Sequence, residues 1–293
     1  MSLRSAYSYL CALNRKGMTS KDLLSELESI SKEYAELALP QAVFDYEKYR
    51  LYQIVGSSTR LEGATLTDAE VEILLEQGRT APGKLLEHHL MVQDNFRAMR
   101  FALAEADKKT PVSPTLLQSF NALNIQQTGS VIQTILGNVD MTKGEFRVSA
   151  VKSDALGYYE EASKVPGMVD RLCASINKRL QESKSLPEQL TCAFDAHSDL
   201  VLIHPWYDGN KRTSRLLMNY VERYFGLPLT TVHKEDVHEY LSALKALKDN
   251  NDRTPFHTFM FGQHIKTLRT EIDEYRRHLG VIQKPVTKKS ASL

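Results

Sequence analysis

Helical periodicity runs through almost the whole chain, and it limits the possible folds more than any other feature. Leu23, Leu27, Ile30, Tyr34 and Leu37 recur on one face of a first long stretch, which Thr19 can cap and Pro40 ends. A second apolar-aromatic stretch covers 43–55 and stops near Gly56. Thr67-Asp68-Ala69-Glu70 is a capping box ahead of 71–75. Residues 84–106 form a third long amphipathic stretch, and Ser113-Pro114 opens another helix with proline at its first position. The pattern resumes over 167–182, 187–203 and 210–225, where Gly226 suits the left-handed position after a helix. Val237, Leu241, Leu244 and Leu247 mark one more helix, and Thr254-Pro255 opens the last, which is expected to end near Gly280.

Between Gly129 and Pro166 the texture changes. Residues 145–151 alternate, with Phe146, Val148 and Ala150 on one side and Glu145, Arg147 and Ser149 on the other, which is a strand period. A turn at Ser153-Asp154 and a return through Gly157 to Glu160 complete a hairpin, the only β-structure expected. The fold class is therefore all-α with one short β-hairpin. The expected organisation is an N-terminal helical region over 1–110, a core over 111–226, C-terminal helices over 227–280 that complete the fold, and a polar tail over 281–293.

Composition excludes several functions. There are 37 basic and 36 acidic side chains among 293 residues, a net charge of +1, so no global field holds nucleic acid or an anionic membrane. No apolar run approaches the roughly 20 residues of a spanning helix. The apolar patch at 6–13 is followed by Arg15 and Lys16 rather than by a small-residue cleavage site, so it reads as the start of the fold. Cys11, Cys173 and Cys192 are odd in number and form no C-x-x-C. That usage suits thiols in a reducing cytoplasm.

Chemistry concentrates in 202–215. Pro205 ends a helix, so His204 sits at its C-terminal edge. Asp208-Gly209-Asn210 is turn chemistry, and a new helix starting near Asn210 aims unsatisfied N–H groups and a positive dipole end at the loop. Such an end attracts anions, and Lys211, Arg212 and Arg215 add three cations, the two arginines on one face. A base, a carboxylate, an anion site and paired arginines are the parts needed to hold a polyphosphate with its metal and to take a proton from a nucleophile. A metal-hydrolase reading of Asp195, His197, Asp199, His204 and Asp208 lacks the H-E-x-x-H spacing. Asp195 and Asp199 are expected to face solvent or cap neighbours, and His88-His89 to be a surface pair.

The segment His204-Pro205-Trp206-Tyr207-Asp208-Gly209-Asn210-Lys211-Arg212-Thr213-Ser214-Arg215 resembles the signature of the Fic family, H-P-F-x-D/E-G-N-G/K-R-x-x-R, with Trp206 replacing the usual Phe. The resemblance implies a mostly helical Fic fold and transfer of AMP from ATP to a hydroxyl of a target protein. In that reading His204 is the base and Asp208 the Mg²⁺ ligand. Gly209, Asn210 and Lys211 line the anion hole, Arg212 holds the β- and γ-phosphates, and Arg215 holds the γ-phosphate. Trp206 packs. The hairpin over 145–160 corresponds to the family's flap, on which the target docks by strand addition. A homodimer through the core is a further implication, and direct DNA binding is not expected.

Ser58-Thr59-Arg60-Leu61-Glu62-Gly63 fits the family's inhibitory motif, S/T-x-x-x-E-G/N. Alone the motif is weak, since about one chain in four of this length contains it by chance. Upstream of the core, it implies that Glu62 pairs with Arg215 and denies the γ-phosphate its partner. A silenced transferase and a bifunctional enzyme that also removes AMP both suit Glu62. Lys211 also occurs in a related branch, the Doc-like phosphotransferases, which move the γ-phosphoryl group instead. That branch typically lacks the equivalents of Gly209 and Arg215, so AMP transfer is the first reading and Doc-like phosphotransfer the alternative.

Overall fold

The computed structural model describes residues 20–37 and 46–283. The expected caps at Thr19 and Pro40, the start of the 43–55 stretch, Cys11, the N-terminal patch and most of the tail lie outside these residues. Ten α-helices are described: α1 Ser20–Glu36, α2 Tyr46–Arg60, α3 Asp68–Gln77, α4 Leu86–Asp107, α5 Pro114–Asn124, α6 Val165–Glu182, α7 Leu186–Ile203, α8 Asn210–Phe225, α9 Val237–Asn250 and α10 Thr254–Gln283. The expected mostly helical class is what is found.

Helix α8 is central. It packs on α7, α4 and α5, and touches α2. Leu216, Leu217, Tyr220 and Val221 of α8 are fully buried with Phe120, Phe194 and Leu200 from its neighbours. Burial of such side chains stabilises by about 1.5–3 kcal/mol each, and here it fixes the start of α8 relative to the end of α7. Several ends follow their sequence signals. Thr67 and Glu70 form both halves of the capping box, Ser113 caps α5 with Pro114 inside its first turn, and Gly226 ends α8 at φ 73°.

Two helices run past their expected ends. α2 continues through Gly56 to Arg60. A Cβ at Gly56 would lie 2.9 Å from Arg60 Nη1 and 3.3 Å from Asp68 Oδ1, so this glycine makes room for the Arg60–Asp68 ion pair rather than stopping the helix. α10 continues through Gly280 to Gln283; an interior glycine costs only about 1 kcal/mol.

The β-structure differs more. There are two hairpins among the described residues. β1 Val131–Thr134 pairs antiparallel with β2 Gly137–Asp140, a hairpin the sequence reading did not include. β3 Lys152–Ser153 pairs with β4 Gly157–Tyr158 at the tip of the expected flap. Residues 145–151 form no strand. Their backbone bonds to the loop after α7 instead, with Arg147 N–H donating to Pro205 O at 2.8 Å. The alternation is inverted as well, because Arg147 is the buried member at 2% exposure and Ala150 is exposed.

Candidate active site

The site lies where α7 ends, α8 begins and the flap crosses the loop between them. Pro205 stops α7, and His204 takes the left-handed cap position at φ 52° with its N–H on Leu200 O. A non-glycine residue seldom adopts this conformation, and here it turns the imidazole out of the helix line. The ring stacks on Tyr159 of the flap at 3.9 Å between centroids and 15° between planes. Lys248 of α9 also lies over the Tyr159 ring, with Nζ at 4.1 Å from its centroid. Burial pushes the His204 imidazole down to about 4, and Arg147, Lys211 and Lys248 push the same way. The ring is therefore neutral at pH 7, the state a general base needs.

The loop is held by its own side chains. Trp206 is buried, donates from Nε1 to Gly144 O at 2.9 Å and packs on Phe146. Asn210 accepts from Trp206 N–H at 3.0 Å and donates to Trp206 O at 2.8 Å, so its side chain is committed to the loop. Gly209 begins α8 at φ 79°, and a Cβ there would fall 2.6 Å from Asn121 Nδ2. Both the backbone conformation and the close approach require glycine. No side chain caps α8, so its first N–H groups remain for an anion.

The cations around this helix start are all engaged by carboxylates. Arg212, 3% exposed, donates to Asp208 Oδ2 at 2.9 Å and to Asn124 O at 3.2 Å. Arg215 donates from Nε to Ser58 Oγ, from Nη2 to Ser58 O, both at 2.9 Å, and from Nη2 to Glu62 Oε1 at 2.8 Å. Glu62 sits in the turn just after α2, and its second oxygen takes Lys211 Nζ at 2.8 Å. Burial alone would raise the Glu62 carboxyl, but Arg215 and Lys211 outweigh it and hold it down at about 2. The Glu62–Arg215 pair implied by the resemblance is present. The Lys211 contact and the double grip of Ser58 were not anticipated.

Asp208 is more than half exposed, with one carboxylate oxygen on Arg212. A single hard-oxygen carboxylate there suits Mg²⁺, which usually takes one or two carboxylates and completes its shell with phosphate oxygens and water. Among the described residues no cluster of three His, Cys, Asp or Glu is built to hold a metal alone.

Other residues escaped the sequence reading. Asn121 donates to Asp208 O and Thr213 Oγ1, Asn124 donates to Thr213 Oγ1, and Asn95 donates to Asn124 Oδ1, a buried amide chain that ties α4 and α5 to the loop. Asp195 neither faces solvent nor caps a helix. It is mostly buried, 13% exposed, and takes Arg179 at 2.6 Å, Arg253 at 2.7 Å and His257 at 2.8 Å, while Asp199 takes Arg253 at 2.6 Å. His89 is buried too, accepting from Ala81 N–H and bonded to Leu85 O, so it is a helix-start strut and not a surface residue.

A neutral imidazole, a carboxylate and two arginines around an uncapped helix start are the parts that phosphate handling requires, set here in a helical fold. Residues 111–221 match the Fic/DOC family model. The protein adenylyltransferase Fic of Drosophila yakuba is 30% identical over 228 residues, covering 76% of this chain and 42% of that protein. The Culex quinquefasciatus protein of the same name is 29% identical over 224 residues, with the same coverage. The chain thus spans less than half the length of these relatives. Two solved structures share the fold: a Fic-domain signalling protein from Bacteroides thetaiotaomicron (TM-score 0.72, 21% identity, 86% of this chain and 98% of that one) and Fic-1 from C. elegans (TM-score 0.74, 21% identity, 88% and 73%).

Proposed function

We propose that this protein is a protein adenylyltransferase held in an inhibited state by Glu62. The neutral, flap-covered imidazole of His204 beside an uncapped, cation-rich helix start carries the reading. His204 takes the proton of a target hydroxyl, whose oxygen attacks the α-phosphorus of ATP. The bond to the bridging oxygen breaks and pyrophosphate leaves. The N–H groups at the start of α8, with Arg212 and Arg215, bind the phosphates. Asp208 would hold Mg²⁺, which when bound neutralises phosphate charge. The target segment docks on the β3–β4 hairpin, whose outer residues Lys152 and Tyr158 are exposed.

Inhibition follows from competition. Glu62 occupies the Arg215 contact that a terminal phosphate requires, and Lys211 helps to hold it there, so ATP meets a carboxylate where its γ-phosphate belongs. The same carboxylate, close to the phosphate site, suits water activation for AMP removal.

The test is a labelling assay with Glu62→Gly protein, Mg²⁺, a cell lysate and ATP labelled at the α- or γ-phosphate. Label from the α-position alone is expected, and it should fall by about 10²–10⁴-fold in the Glu62→Gly, His204→Ala double variant, the usual contribution of a general base. Label from the γ-position alone would replace this reading by Doc-like phosphotransfer directed by Lys211.

A further inference from the structure

Arg147 is a fully buried cation whose acceptors are all backbone carbonyls. At 2% exposure, it donates from Nε to His204 O at 2.8 Å, from Nη1 to Ser149 O at 3.0 Å and from Nη2 to Glu160 O at 2.6 Å. Its own N–H reaches Pro205 O at 2.8 Å. None of these acceptors is a carboxylate, and burial pulls the guanidinium below its ordinary range. A buried cation without a counter-ion is expensive, and filling space would not require one. What this side chain does that an apolar one cannot is join three separate backbone points.

Those points have a pattern. Ser149 and Glu160 flank the β3–β4 hairpin on its entering and leaving sides, and His204 is the base. Tyr159, next to Glu160, carries the ring stacked on His204. Tyr207 adds a parallel tie, accepting from Val148 N–H at 3.3 Å and bonded to Ser149 Oγ at 2.8 Å. We propose that Arg147 is a positioning residue that locks the base and the target-docking flap into one rigid unit, so that a hydroxyl presented by the flap arrives in register with His204. The proposal rests on the adenylyl-transfer reading. A base works only within hydrogen-bond reach of its proton, and about 1 Å of misplacement costs on the order of 10²-fold in rate. Phosphate groups are held elsewhere, by Arg212, Arg215 and the start of α8, so ATP affinity is independent of Arg147.

The charged and titratable groups facing His204 are Arg147 and Tyr159 from the flap region, Lys211 from α8 and Lys248 from α9. Arg147→Lys keeps the charge and loses the three-point geometry; Arg147→Gln loses both. Each is made in Glu62→Gly protein, with folding checked by circular dichroism. His204 is titrated by NMR, its signal assigned by its absence from His204→Ala. Amide exchange is followed over 149–160 and 204–207, and ATP binding is measured by calorimetry.

In Arg147→Lys the two segments should lose protection together, by about tenfold or more, with ATP affinity unchanged within twofold. In Arg147→Gln the His204 midpoint should also rise, because a neighbouring cation is lost. Protection lost in one segment only, or a His204 midpoint unmoved in folded Arg147→Gln, overturns the proposal. If Arg147→Gln fails to fold, Arg147→Lys decides by its exchange pattern. None of these readouts needs transfer activity, so a parent protein that transfers no α-label would sink the adenylyl-transfer reading while leaving the Arg147 result intact.

Discussion

Glu62 and Asp195 are both mostly buried carboxylates, 16% and 13% exposed, gripped by two strong cations, and the contrast between them separates a strut from a latch. Asp195 takes Arg179, Arg253 and His257; Glu62 takes Arg215 and Lys211. Burial raises both carboxyl pKa values, and the cations outweigh it in both, taking Glu62 to about 2 and Asp195 lower still. The chemistry is the same; the difference lies in the elements that carry it. Asp195 belongs to α7, and its partners come from α6 and from the start of α10, helices whose other faces make the core. Glu62 belongs to a turn beyond α2, and both its partners sit in the first two turns of α8. Removing one member of a buried pair strands the other charge. At Asp195 Arg253 keeps Asp199, while Arg179 loses its carboxylate between packed helices, whereas at Glu62 the cations face a helix start that attracts another anion.

The largest effect expected from breaking this comparison is therefore on stability at the strut. Asp195→Ala should destabilise by about 3–5 kcal/mol, read by urea denaturation. Glu62→Gly should lose far less, because water or nucleotide phosphate can solvate Arg215 and Lys211. Equal losses in the two variants would erase the distinction between strut and latch.

On activity the ranking reverses. Glu62→Gly should raise AMP transfer by about 10–100-fold, the equivalent of one charge-assisted hydrogen bond of about 1.5–3 kcal/mol. Lys211→Ala should give a smaller rise of a few-fold, because Lys211 is 37% exposed and a solvated pair contributes about 1 kcal/mol or less. In the proposed scheme Lys211 inhibits only through Glu62, so adding Lys211→Ala to Glu62→Gly should raise activity no further. A further additive rise, measured as initial rates in the double-mutant cycle, would mean that Lys211 obstructs the nucleotide directly.

Residues close in the chain are legible in the sequence, whereas residues joined only by packing are not. His204, Asp208, Arg212 and Arg215 fall within twelve residues of one helix–loop–helix, so their proximity is local and readable. Glu62 and Arg215 are 153 apart in the chain, and only a motif links them. Ser58 belongs to that motif, but its grip on Arg215 depends on how α2 packs. Arg147 was placed on the polar side of an alternating run because its acceptors are carbonyls, which every residue has and no pattern announces. The Asn95–Asn124–Thr213 chain is hidden for the same reason. Asp195 looked solvated because its cations come from 16 and 58 residues away. The β1–β2 hairpin has only four residues in each strand, too few for a period to stand out.

The smallest and sharpest effect concerns pH. Glu62 and Asp195 stay ionised throughout the range in which histidine normally titrates, so an acid limb there belongs to neither carboxylate. His204 is held at about 4, against an ordinary value near 6.5. Between those values the unfolded chain binds this proton and the folded site does not. The contribution of this group to stability is thus present above about 6.5 and lost as pH falls towards 4. With His204 as the proposed base, the rate follows the neutral imidazole itself. In Glu62→Gly protein, transfer should stay level from pH 8 to about 5 and fall tenfold per unit only below about 4. A limb near 6.5 in initial-rate measurements would mean that the flap does not cover the base in the working enzyme, and that the stack of Lys248, Tyr159 and His204 opens before chemistry.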